Sequence, residues 1–125
     1  MHAPTIADSG ELEFKRYNER FYALAAQDDV AAYDAATLAA FARLAWDVSR
    51  RRRSGERIVA AVAPSDVQHG FHIDGSVLVT VNDDMPFLYD SVLSEIQAQG
   101  LRVVAAFHPM FLVMRNADGE RVRLA

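Results

Sequence analysis

Apolar residues recur along this chain at two periods, first near 3.6 and then near 2. Leu12, Phe14, Tyr17, Phe21, Tyr22 and Leu24 form an apolar stripe with Lys15, Arg16, Glu19 and Arg20 opposite it. This spacing predicts a helix from about Glu11 to Ala26, capped by Asp8 or Ser9. Gln27-Asp28-Asp29 reads as a break and Val30 to Tyr33 as one helical turn. Asp34 or Thr37 then starts an alanine-rich helix, Ala35 to about Arg53, of high intrinsic propensity. Leu38, Phe41, Leu44, Ala45 and Val48 mark its buried face, with Trp46 at one margin. Arg50 to Arg53 place four cations at the negative end of its dipole, and Gly55 stops it.

The period then shortens. Arg57 to Ala63 is apolar on both faces and predicts a strand ended by Pro64, and Ser65 to Gly75 has no period and predicts a loop. Val77, Val79 and Val81 alternate with Leu78 and Thr80 as a second strand. Asn82-Asp83-Asp84-Met85-Pro86 stops that strand and starts a helix, Phe87 to Gln99, for which Asp84 is the expected cap. Leu88, Val92, Ile96 and Gln99 form its stripe, widened by Phe87 and Leu93, and Gly100 ends it. Arg102 to Phe107 predicts a third strand, which returns through His108-Pro109 to Met110 to Arg115. Asn116 to Gly119 is a turn into a last alternating run, Glu120 to Leu124.

These elements predict an α+β fold in which N-terminal helices pack on a small mixed or antiparallel sheet. Strand, helix and strand from Val77 to Phe107 suit a right-handed crossover, and a returning strand slotted between them would make a split βαβ unit, half of a ferredoxin-like sheet. Such a strand has both edges occupied. Glu120 to Leu124 must then extend beyond the sheet, or the strand order differs.

A strand running into Asp-x-Pro-x-Leu, a helix closed by Gly100-Leu101 and two further strands resemble the first half of an ACT domain. The longer strings VNDDMPFLYDSV from Val81, His108-Pro109, and Arg115 to Gly119 resemble the N-terminal region of the large bacterial NAD-specific glutamate dehydrogenases. Phe21-Tyr22, Tyr33, Leu38, Trp46 and Gly55-Glu56 fit that family's helical lead-in, so the resemblance runs from Glu11 onward. It implies a helical lead-in over 11–56 and an ACT-like unit over 57–125; the short, polar, Pro-containing start predicts a disordered N-terminus over 1–10, and the length predicts one compact domain overall. A full ACT domain has a second helix and a fourth strand beyond those read here. The unit is therefore expected to be incomplete or variant: either the strand Arg57 to Ala63 substitutes at the sheet edge, or the chain is a fragment.

The resemblance further implies a non-catalytic regulatory or assembly domain of a longer enzyme. That enzyme converts glutamate, NAD and water to 2-oxoglutarate, ammonia and NADH. NAD would belong to the full-length enzyme and no cofactor to this segment; the partners would be the remainder of the same polypeptide, a homo-oligomer and an amino-acid effector. A stand-alone amino-acid-binding or dimerising module is the alternative. ACT domains use the strand-to-helix loop for effector or interface contact, which maps here to Asn82, Asp83, Asp84, Met85, Pro86, Phe87 and Leu88. Ligand-binding members usually carry Gly after the Pro. Here it is Phe87, whose bulk is expected to fill or shield that space.

Composition narrows the picture. Hydrophobic residues make up 51% and charged residues 24% of 125 residues, an ordinary globular balance for one domain. A net charge of −4 argues against a nucleic-acid partner held by general electrostatics. With no cysteine there is no disulfide framework or thiolate nucleophile, which fits the cytoplasm. No apolar run approaches the ~20 residues of a membrane span, and no membrane partner is expected.

Paired carboxylates at Asp83 and Asp84 could do acid–base work, but a cap and a turn former account for both. His69, His72 and Asp74 fall short of a complete zinc ligand set, so no metal is expected. His108 reads as a strand-end residue, and Arg50 to Arg53 as a solvated face or a contact with an acidic neighbouring domain rather than a phosphate site. No phosphate-loop, nucleophile-elbow or metalloprotease motif is present, and no catalytic residue is expected.

Overall fold

An aromatic cluster joins the helical layer to the end of the chain. The computed structural model describes residues 6–64 and 73–125. Helix α1 (Ile6–Phe21) and helix α3 (Ala35–Val48) pack face to face, with the short helix α2 (Gln27–Ala31) between them in sequence. Tyr17 and Phe21 of α1 are buried with Ala42 of α3 and Leu124 near the chain's end. Tyr17 stacks on Phe111 at 4.4 Å and meets Trp46 at 4.9 Å. Phe107 closes the other end edge-on to Tyr22 at 4.9 Å. Burial of each such ring contributes roughly 1.5–3 kcal/mol.

The helices start and stop for readable reasons. Asp34 caps α3, its side chain accepting from the Thr37 amide at 2.8 Å, as expected. That hydrogen bond holds the Asp34 carboxyl below the usual range. Helix α1 begins at Ile6, upstream of the expected caps Asp8 and Ser9. Trp46 is not marginal but packs on Phe14 and Tyr17, and fully buried Ala42 lets the two helices approach. Leu12 and Leu24, placed on the apolar stripe by spacing, are exposed.

Strands β1 (Ile58–Val62) and β2 (Val77–Val81) pair antiparallel, Ile58 opposite Val81 and Val62 opposite Val77. Ile58, Ala60 and Val62 with Val77, Val79 and Val81 form the half-buried face. Val59 and Leu78 point the other way and are exposed. Helix α4 (Leu88–Ala98) follows, with Leu88, Val92, Leu93 and Ile96 half-buried and none buried fully. Gly100 at φ +79° ends it, as expected. Strands β3 (Val113–Arg115) and β4 (Arg121–Leu124) form a second antiparallel ladder across the Asn116–Gly119 turn.

The α+β class is therefore borne out, in a variant form. Among the described residues the strands make two separate two-stranded ladders rather than one sheet. Arg102 to Phe107, expected as a strand, runs without a ladder partner, so the crossover and inserted-strand order are not formed. The last strand finds its edge on β3 because β3 is not inserted between other strands. This removes the conflict over Glu120 to Leu124.

Candidate functional site

The arginine run organises the site. Helix α3 stops at Val48 rather than Arg53, because the Ser49 hydroxyl donates back to the Ala45 carbonyl at 2.7 Å. The chain then runs alongside the hairpin. The Arg52 amide donates to the Gly119 carbonyl and the Arg121 amide to the Arg50 carbonyl, each at 2.9 Å, while Arg51 bridges Glu120. Gly119 is needed at this crossing: its φ is +85°, and a Cβ there would lie 2.6 Å from the Arg52 carbonyl oxygen.

Two arginines of the hairpin complete the end of α3, where helix carbonyls lack internal partners. The Arg115 guanidinium donates to the Ser49 carbonyl at 2.8 Å and the Gly119 carbonyl at 2.9 Å. Arg121 donates to the Trp46 carbonyl at 3.0 Å and lies over the Trp46 ring at 3.3 Å. Burial lowers the affinity of both guanidinium groups for their protons, pulling Arg121 down to about 10. Tyr17 beside them is pushed up to about 12 by burial, against the opposing pull of its Ser49 hydrogen bond and the Arg121 charge.

Arg52 carries the connection to the acidic loop. Its Nε donates to the Glu56 carbonyl at 2.6 Å and its Nη2 to Asp83 Oδ1 at 2.8 Å. Asp83 is thus the anchored end of the loop 82–87. Asn82 is half-buried beside it, whereas Asp84, Met85 and Pro86 are exposed. Asp84 does not cap α4. The helix starts at Leu88, after a turn through Pro86 and Phe87, and Phe87 holds the N-cap position with no side-chain hydrogen bond. Phe87 adopts φ +63°, the left-handed conformation that glycine takes freely. Its ring does not fill the space beside the loop, for it is 79% exposed.

The remaining candidates fall elsewhere. His108 stacks on Tyr89 at 5.1 Å in a cleft of about 310 Å³ shared with Leu24, Asp29 and Met110. His69 and His72 lie outside the described residues, and among those described no three His, Cys, Asp or Glu side chains are placed to hold a metal. No helix among the described residues is long and apolar enough to cross a membrane. Spacing did not single out Arg52 as the loop's anchor. The arginine run was visible, but its neighbours in space were not.

Residues 17–125 match the family described as glutamate dehydrogenase, ACT1 domain. Over 118 residues the chain is 24% identical to the NAD-specific glutamate dehydrogenase of Pseudomonas aeruginosa, covering 94% of this chain and 7% of that protein. No solved structure matches the chain. The match spans both the helical layer and the two ladders, so the chain belongs to the glutamate dehydrogenase ACT1 domain family.

Proposed function

We propose that this chain is a non-catalytic regulatory and assembly domain of a longer NAD-dependent glutamate dehydrogenase. The chain spans 7% of the length of the curated relative it matches, and the reaction belongs to the whole enzyme. There, glutamate is oxidatively deaminated to 2-oxoglutarate and ammonia while hydride passes to NAD. The domain's part is to bias the arrangement of the assembly when its loop meets an amino acid or a neighbouring subunit.

The loop's asymmetry carries this reading. Asp83 ties one end to Arg52, while Met85 and Phe87 stand in solvent at the other. An apolar tip held on a fixed base, with its backbone in a disfavoured conformation, suits a contact surface better than a core. Asn82, Asp84, Pro86 and Leu88 complete the loop that would meet the effector or subunit.

Purified alone, the 125-residue chain should make no NADH from glutamate and NAD. It should either melt higher with a particular amino acid or dimerise as its concentration rises. NADH formation would refute the non-catalytic reading; the lack of both binding responses would refute the regulatory and assembly role.

A further inference from the structure

We propose that Arg51 and Arg53 form a binding site for a small dianion, carrying either a phosphate or two carboxylates. This site is separate from the loop just described and does not depend on the role given to it.

The arginine run divides by use. Arg50 is paired with Glu120 at 2.9 Å and Arg52 with Asp83 at 2.8 Å. Arg51 and Arg53 instead line an open cleft of about 410 Å³ with Val48, Glu56 and Ile58, a size that suits a small ligand. Only Nε of Arg51 is engaged, donating to the Asp118 carbonyl at 3.0 Å, so its two Nη groups remain available. Among the described residues the Arg53 guanidinium has no hydrogen bond or ion pair; its backbone amide donates to Glu56 Oε1 at 3.1 Å and its carbonyl accepts from the Glu56 amide at 3.0 Å.

Two guanidinium groups beside one cleft can bind oxyanions through paired N–H groups, a geometry that a lysine ammonium does not offer. The base of Arg51 is fixed by its bridge to Glu120, which reduces the ordering that binding requires. Glu56 sets the charge requirement. With two cations and one carboxylate at the cleft, a dianion meets twice the net attraction of a monoanion and can engage both arginines. Val48 and Ile58 supply an apolar wall for a short carbon skeleton. Five of the chain's twelve arginines fall within residues 50–57, the segment that supplies most of the cleft's lining, in a chain of net charge −4.

The test is calorimetric titration of the 125-residue chain with inorganic phosphate and, separately, with succinate, at ionic strength held constant with chloride. At least one should bind saturably, and Arg53→Gln should weaken it about tenfold, the loss of a charge-assisted contact. Arg51→Gln should weaken it similarly. Arg53→Gln removes no structural bond, so its effect is read on a folded protein even if Arg51→Gln unfolds. Arg102→Gln, at an exposed position, should bind as the parent does. Binding of phosphate alone would identify a phosphate-bearing ligand, and binding of succinate alone a dicarboxylate. Absence of saturable binding by either, or binding unchanged in Arg53→Gln, would overturn the proposal.

Discussion

Arg52 and Asp83, 31 positions apart, meet at 2.8 Å and join the end of the helical layer to the loop that leads into α4. The pair is unequal, for the Arg52 side chain is 13% exposed and that of Asp83 is 65% exposed. Arg52 also holds the Glu56 carbonyl. Arg52→Ala should therefore cost about 1–2 kcal/mol of unfolding free energy, and Asp83→Asn less than 1, because only one member is sheltered from water. A double-mutant cycle by urea denaturation should give a coupling of about 0.5 kcal/mol that shrinks with added salt. No coupling at low salt would mean that the pair does not anchor the loop.

Phe87 offers a test of strain. A left-handed backbone costs an L-residue roughly 1–2 kcal/mol, and an exposed ring recovers little of it by packing. Phe87→Gly should be about 0.5–1 kcal/mol more stable than Phe87→Ala, since only glycine removes the Cβ conflict. Equal stabilities in urea would show that the conformation is not strained.

Gly119 should be intolerant of a side chain. A Cβ would press on the Arg52 backbone while the residue kept a positive φ, so Gly119→Ala should cost about 2–4 kcal/mol. Circular dichroism melts would show this as a large fall in midpoint, whereas Gly10→Ala, inside helix α1 with open space around it, should raise the midpoint slightly.

Alkaline pH should weaken the fold. Burial raises Tyr17 to about 12 and raises Tyr22 as well, each from an ordinary value of 10.0. The unfolded chain releases these protons first, so their contribution is complete below pH 10 and is lost as pH rises through the folded values. Arg121, lowered to about 10, acts in the opposite direction over that window. Arg115 is lowered as well, but by less, so the two tyrosines outweigh the two arginines and leave a net loss. Melting temperature should fall between pH 10 and 12, and Tyr22→Phe should flatten that fall after an initial cost of about 1 kcal/mol for its hydrogen bond to the Leu38 carbonyl. A flat profile in the parent would contradict this assignment.

Local chemistry made much of this fold legible. The Asp34 cap, the Gly100 stop and the Asn116–Gly119 turn act through immediate neighbours, and each lies where spacing placed it. The pairing of Ile58–Val62 with Val77–Val81 was not legible, because alternation marks a strand but not its partner. Arg50 to Arg53 misled for a related reason: cations suit the end of a helix, but the hairpin at Gly119 to Arg121 takes that segment as an extended edge. At the candidate site, residue types marked the acidic loop as a strand-to-helix turn, and only the family resemblance pointed to an effector or interface role. The loop's anchor on Arg52 depends on a contact between distant segments, and the left-handed Phe87 runs against the residue's own preference.

The most direct test of the account uses the longer glutamate dehydrogenase polypeptide proposed to contain this domain, with Met85→Ala and Phe87→Gly introduced together. Mass photometry and glutamate-dependent NAD reduction would be measured on parent and variant, with and without added amino acids. The account predicts that the variant assembles to a smaller species or loses the change in rate that an amino acid produces in the parent. The same mass and the same amino-acid response in both would contradict a regulatory or assembly role for the exposed tip of this loop.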